Sequence, residues 1–249
     1  MTAPSQADPP VTLTLAAVLR GMQRLFPVSL FVLPFGTAFG VAAVDQGLSA
    51  AQAIAMSALV FTAIAQFAAL DLLIDPVPFG SLVMVMLALN ARHVIIGAAL
   101  ARWINQLSWR ARVLTLAFLS DANFADTRPM LQGGDADLGP LLGGGLMLWL
   151  AWVSSTALGA LAGDLIGDTS AYGFGAVMVY FFAAQVVRGV RTSGSLLLCA
   201  CVAMGVAVMT HANLPVGWNV ILAALIGGGL AAATDAGTQA KTQAKTNAE

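Results

Sequence analysis

Apolar runs of about twenty residues recur along this chain from Leu25 to Ala233 with only short interruptions. An α-helix needs about 20 apolar residues to cross the hydrocarbon layer of a bilayer. In lipid every backbone N–H and C=O must be satisfied within the protein, so such runs become helices. Charged residues make up 9% of the chain, against about 25% in soluble domains. The pattern therefore predicts one all-α integral membrane domain and leaves no room for a separate soluble one.

Placing spans on the apolar runs gives 24–44, 50–71, 78–102, 139–163, 172–190, 194–211 and 214–233, about seven transmembrane helices. The run Val113 to Leu119 is apolar too, but Ser120, Asp121, Asn123 and Asp126 follow at once. It is too short to cross, so residues 108–130 are expected to be a re-entrant or interfacial segment. The Pro-rich start MTAPSQADPP has no basic region of the kind a signal peptide carries. Residues 1–20 are read as a disordered tail, 21–233 as a single transmembrane domain, and 234–249, with its TQAK repeat, as a second solvated tail.

At an offset of 119 the sequence matches itself sparsely. Thr37, Ala38, Gly40 and Asp45 fall on Thr156, Ala157, Gly159 and Asp164, and Val60, Ala65 and Gln66 fall on Val179, Ala184 and Gln185. The expected organisation is repeat one at about 24–104, a linker with the re-entrant segment at 105–138, and repeat two at about 139–233. Three spans in the first repeat would make the second enter from the opposite side, an inverted internal repeat of the kind found in secondary transporters. Under this topology the positive-inside rule favours an outside N-terminus, with Arg20 and Arg24 opposing it, over an eight-span alternative in which 111–128 crosses and the N-terminus lies inside.

The residues that carry chemistry lie inside the apolar runs. Asn90, Arg92 and His93 interrupt the third span in LALNARHVIIGAAL. An arginine at the centre of a helix costs about 2.5–3.5 kcal/mol to insert, so it must face protein or water. Either it receives a substrate carboxylate, with His93 beside it as a titratable neighbour, or it forms an internal salt bridge with Asp121 or Asp71. Pro34 and Gly36 in FVLPFGTAFG predict a kink or break in the first span, whose freed backbone groups could bind a polar substrate. Gln66 and Gln185 are single amides on apolar helices, suited either to bridging helices or to a shared site. Asp121 is read as a helix cap or as a proton-coupling carboxylate.

The small-residue pairs Gly36 with Gly40 and Ser155 with Gly159, and the clusters 143–145 and 227–229, read as close helix packing. Cys199 and Cys201, two apart on one helix, read as packing or lipid-facing residues and not as a disulfide. A net charge of −1 gives no reason to expect a nucleic-acid partner. His93 and His211 are the two histidines, and no H-E-x-x-H, G-x-S-x-G or phosphate-loop pattern occurs. Neither an enzyme nor a metal or cofactor site is expected.

The blocks PFGTAFGVAAVDQGLSAAQA, IAQFAAL, NARHVIIGAAL and AFLSDANFA, in this order from about Gly21 to Ala125, resemble the AzlC-type branched-chain amino-acid permease family. The resemblance implies a multi-pass inner-membrane secondary exporter of branched-chain amino acids, working with a small AzlD-like membrane subunit. Two blocks differ from the family pattern. Ser120-Asp121-Ala122-Asn123-Phe124-Ala125 stands where T-D-E-x-F-A is common, and Tyr172-Gly173-Phe174-Gly175 where an Asp-Phe-Ala is common. A non-transporting membrane subunit that stabilises or regulates a partner is the alternative to an exporter.

Overall fold

Helix starts along this chain are set by local capping. Thr14 accepts a hydrogen bond from Ala17 and opens α1, Leu15–Asp45. Ser49 and Gln52 form a reciprocal capping box at the head of α2, Ala50–Leu59. Ser120 and Asn123 do the same for α6, Asp121–Gln132. Each box satisfies two amides that a helix terminus leaves without intrahelical partners. The remaining helices are α3 (Ala63–Leu70), α4 (Phe79–Ile104), α5 (Trp109–Ala117), α7 (Gly139–Ile166), α8 (Ser195–Thr210) and α9 (Trp218–Thr246). The computed structural model describes residues 10–73, 76–166, 195–210, 213–214 and 218–246. Among these there is no strand, only an isolated bridge between Thr12 and Asp137.

Among the described residues three helices, α1, α4 and α7, are long and apolar enough to cross a membrane. The spans expected at 194–211 and 214–233 coincide with α8 and α9, while the span expected at 172–190 lies outside the described residues. The stretch 50–71 is not one helix. It stops at Leu59 and resumes at Ala63, and neither piece reaches the roughly 30 Å of the hydrocarbon layer. The tails are also shorter than expected. Residues 12–14 pair with 136–138 through the Thr12 amide on the Ala136 carbonyl and the Leu138 amide on the Thr12 carbonyl, both at 2.9 Å. At the other end α9 runs on to Thr246, because the Ala, Gln and Lys of this stretch are good helix formers.

The chain divides into two units, residues 1–66 with 90–169 and residues 67–89 with 170–249. In the first unit α1 and α7 lie side by side over most of their length. Gly21 meets Pro140, Leu25 meets Gly144, Gly36 meets Ser155 and Gly40 meets Gly159. Each contact joins a residue to the one at the offset of 119. The numbers rise together, so the two helices are parallel. An inverted relation between repeats would set helices at this offset antiparallel, so the inverted repeat is not confirmed here. The contacts are also reciprocal, since Gly40 sits on Thr156 and Gly159 sits on Thr37. A Cβ on Gly40 would come within 2.7 Å of the Ala160 amide nitrogen, so small residues set this spacing.

The second half of α4 runs against this pair. Leu100 and Ile104 cluster with Leu138 and Leu141 at the start of α7, together with Leu107, Leu119 and Leu131. This end of the first unit therefore carries the beginnings of α1 and α7 and the end of α4. In the second unit Leu72, Val85 and Ile221 form a small core. There Gly227 packs on Ala203, Cys199 is buried and Cys201 is exposed.

Candidate functional site

Arg92 forms an ion pair within the protein. Its Nη1 lies 2.7 Å from Asp121 Oδ2, with the two side chains 35% and 51% exposed. Of the two expected partners the structure selects Asp121. That carboxylate stands in the first turn of α6, where the positive end of the helix dipole also favours it. It is not the cap, because Ser120 takes that position and Asn123 completes the box. Arg92 Nε is buried without a hydrogen-bond partner among the described residues, and so is the hydroxyl of Thr62. Asn90 and His93 are both half-buried near Arg92 on α4.

The segment carrying Asp121 is a helical hairpin. Arg112 at the start of α5 donates to the Asn105 carbonyl at 2.9 Å, which holds that end beside the end of α4. The chain then runs inward until the Phe118 ring meets Trp149 edge-on, centroids 5.5 Å apart. It turns through Leu119 and Ser120 and comes back along α6, past the Arg24–Asp126 pair at 2.9 Å. Leu131 then rejoins the cluster at the bundle end. At 1.5 Å per residue α5 and α6 span about 13 and 18 Å, so neither crosses. Asn123 fixes the turn, donating to the carbonyls of Phe118 at 2.9 Å and Leu141 at 2.8 Å.

A second interruption lies between α2 and α3. Ser57 and Gln66 are nine residues apart, yet Gln66 Nε2 donates to Ser57 Oγ at 3.1 Å. A straight helix would separate these residues by about 13 Å, so the chain bends sharply at Val60–Thr62. Ser57 Oγ lies 2.8 Å from Thr156 Oγ1, and the Trp152 indole N–H donates to Gln66 Oε1 at 2.8 Å. This network of buried side chains ties both sides of the bend to adjacent turns of α7.

Of the kink or break expected at Pro34, the break is absent. Helix α1 is continuous through Pro27 and Pro34, and Pro34 is exposed on its outer side. Gly36 is buried against Ser155, so it serves helix packing. Gln66 is engaged at both ends of its amide, and Gln185 lies outside the described residues. The structure thus brings Arg92 and Asp121 together and places Gln66 in a separate clamp. Sequence reading missed Trp149, Trp152, Ser57, Thr62 and Asn123. The first two carry one signal, a pair of indoles in an otherwise apolar helix, where each N–H needs an acceptor.

The model of the family described as AzlC protein matches residues 27–166, more than half of the chain. The chain belongs to the AzlC family. The AzlC match takes in both interruptions, the Arg92–Asp121 pair and the later part of the α1–α7 contact, where Gly36 meets Ser155 and Gly40 meets Gly159. An uncharacterized membrane protein of Archaeoglobus fulgidus is 32% identical over 154 residues, 61% of this chain and 66% of that protein. The inner membrane protein YgaZ of Escherichia coli K12 is 24% identical over 229 residues, 89% of this chain and 91% of that protein. No solved structure matches. The chain is thus an AzlC-family membrane protein.

Proposed function

We propose that this protein is a secondary transporter that exports branched-chain or similar small apolar amino acids across the inner membrane, in complex with a small AzlD-like subunit. The observation that carries this reading is Arg92, a cation within a long apolar helix whose Nη1 lies 2.7 Å from the Asp121 carboxylate at the turn of the α5–α6 hairpin. A guanidinium with one carboxylate partner and a buried, unpartnered Nε retains donors for a second carboxylate. In this reading the substrate carboxylate competes with Asp121 for Arg92, and apolar helix walls take the aliphatic group. Asp121, once displaced, is left without its cation, and His93 follows Arg92 directly on α4. Those two remain our proton-coupling residues. Gln66 acts by holding the α2–α3 bend in shape. Interruptions such as these are tolerated at membrane depth only where protein or a polar cavity satisfies the backbone.

We also assign the bundle end that carries the arginines to the cytoplasm. Arg20, Arg24, Arg102, Arg110, Arg112 and Arg128 all belong to elements that begin or end there. Arg20 and Arg24 oppose the other four only if 50–71 crosses as one span, and it is broken. The positive-inside rule then favours a cytoplasmic N-terminus. The arginine stacked on Trp103, 3.7 Å from the ring centroid, and the exposed Trp109 fit a membrane boundary at this level.

Reconstitution with the small subunit tests the function. Liposomes carrying the complex should move labelled valine, and Arg92→Ala should lower the rate at least about tenfold, which equals roughly 1.4 kcal/mol of lost interaction. Arg92→Lys should recover only part of it, since an ammonium cannot make the planar two-point contact. Equal rates for wild type and Arg92→Ala at equal protein content would remove the carboxylate role.

A further inference from the structure

Both interruptions converge on one side chain. In a continuous helix the Ala58 carbonyl would accept from the amide of Thr62, four residues on. Here the Thr62 amide turns to the Val60 carbonyl at 2.9 Å, and the Trp149 indole N–H takes its place on Ala58 at 3.0 Å. The other side of Trp149 meets the Phe118 ring at the α5–α6 turn, 83° from parallel. One residue of α7 therefore caps the first interruption and abuts the second. Neither the segment AAQAIAMSALVFTAIAQFAAL nor the turn at Phe118, Leu119 and Ser120 contains glycine or proline. These breaks are held open by tertiary contacts, and what holds them can also link them.

We propose that Trp149 is a positioning residue that couples the two interruptions, so that a movement of the α2–α3 bend is felt at the α5–α6 turn and the reverse. The proposal rests on the transport reading for its purpose, since two mobile elements must move in turn for alternating access, but its geometry stands without it. Trp149→Phe removes the indole donor and keeps a ring against Phe118. Phe118→Leu removes the edge-on ring and keeps the indole bond to Ala58. Each variant disturbs one interruption directly and should alter the other through Trp149.

The test uses the complete chain in membrane vesicles, with Cys199→Ala and Cys201→Ala to remove the described thiols, and single reporters Val60→Cys or Ala122→Cys labelled by a membrane-impermeant maleimide from either side. Trp149→Phe should change the labelling rate of Ala122→Cys, and Phe118→Leu that of Val60→Cys, each by about fivefold or more, the lower end of usual coupling between sites. Gly228→Ala on α9, where a Cβ meets nothing within 4 Å, should leave both reporters unchanged. If each substitution alters only the reporter on its own side, Trp149 is a local cap and the coupling is wrong. Should Trp149→Phe fail to accumulate, the Phe118→Leu arm decides alone. Valine flux measured in the same preparations separates the two ideas: cross-labelling without flux keeps the coupling and removes the transport reading.

Discussion

Single residues in this protein act by tying elements together. Asp137 is an instance away from the membrane-spanning segments. Its Oδ1 accepts from the amides of Gly139 at 2.8 Å and Thr14 at 3.2 Å, and its Oδ2 accepts from the Thr14 hydroxyl at 2.6 Å. Thr14 in turn caps α1, so one carboxylate clasps the starts of the two parallel helices. Burial pushes the Asp137 carboxyl up, but the Thr14 hydroxyl, the Gly139 and Thr14 amides and Arg20 together outweigh it and hold it below the ordinary 3.8. A depressed carboxyl stabilises the fold fully above its unfolded value, and that contribution is lost as pH falls through the lower folded value. Asp137→Ala should therefore cost about 0.5–2 kcal/mol at neutral pH, the usual range for a lost cap. Melting in detergent should show the gap between the variant and wild type closing below about pH 4. A gap that persists unchanged at acid pH would show that the ionised carboxyl is not what clasps the helices.

At the scale of elements, α1 and α7 approach closely because glycine, serine and threonine line their contact. Gly159 lies directly on the Thr37 backbone, with the Thr37 carbonyl carbon 2.9 Å from where a Cβ would be. Backbone cannot swing aside as a side chain can. Gly159→Leu should lower the melting temperature in detergent by the equivalent of about 1–3 kcal/mol, the usual cost of overpacking. Gly228→Ala on α9, where a Cβ meets nothing within 4 Å, should be nearly neutral. A Gly159→Leu protein as stable as Gly228→Ala would mean that these helices are free to part. The hairpin α5–α6 shows a different economy. Its turn carries Asp121 to Arg92, and there Asn123 takes up the Ser120 amide and the Phe118 carbonyl while Ser120 accepts from the Asn123 amide.

For the whole molecule the prediction concerns orientation. A reporter enzyme active only outside the cytoplasm, fused after Ala117 or Gly134, should be inactive at Gly134, at the arginine-bearing end. Fused after Gly47, beyond the end of α1, it should be active. Activity at Gly134 with silence at Gly47 would reverse the assignment. The outer surfaces fit a lipid environment, with Phe31 and Leu30 of α1 exposed in one unit and Val83 and Leu87 of α4 in the other. In a soluble protein such apolar surface would be a liability.

The all-helical membrane class, the short segment after Arg112 and the pairing of Arg92 with an acid were legible in the sequence, because hydropathy and the cost of a buried charge are local properties of a run of residues. Three features were decided only by the tertiary structure. Helix α1 passes through Pro34 unbroken, while 50–70 breaks without a proline, because Trp149, Trp152 and Thr156 from a distant helix supply the partners that the bend needs. Between a helix bridge and a shared site, the role of Gln66 was decided by Ser57 and Trp152, which engage both ends of its amide. The close parallel contact of α1 with α7 was not legible in the sparse identities at offset 119. Counting spans assumes that every apolar run crosses, and whether a run crosses or turns back depends on which neighbours satisfy its backbone.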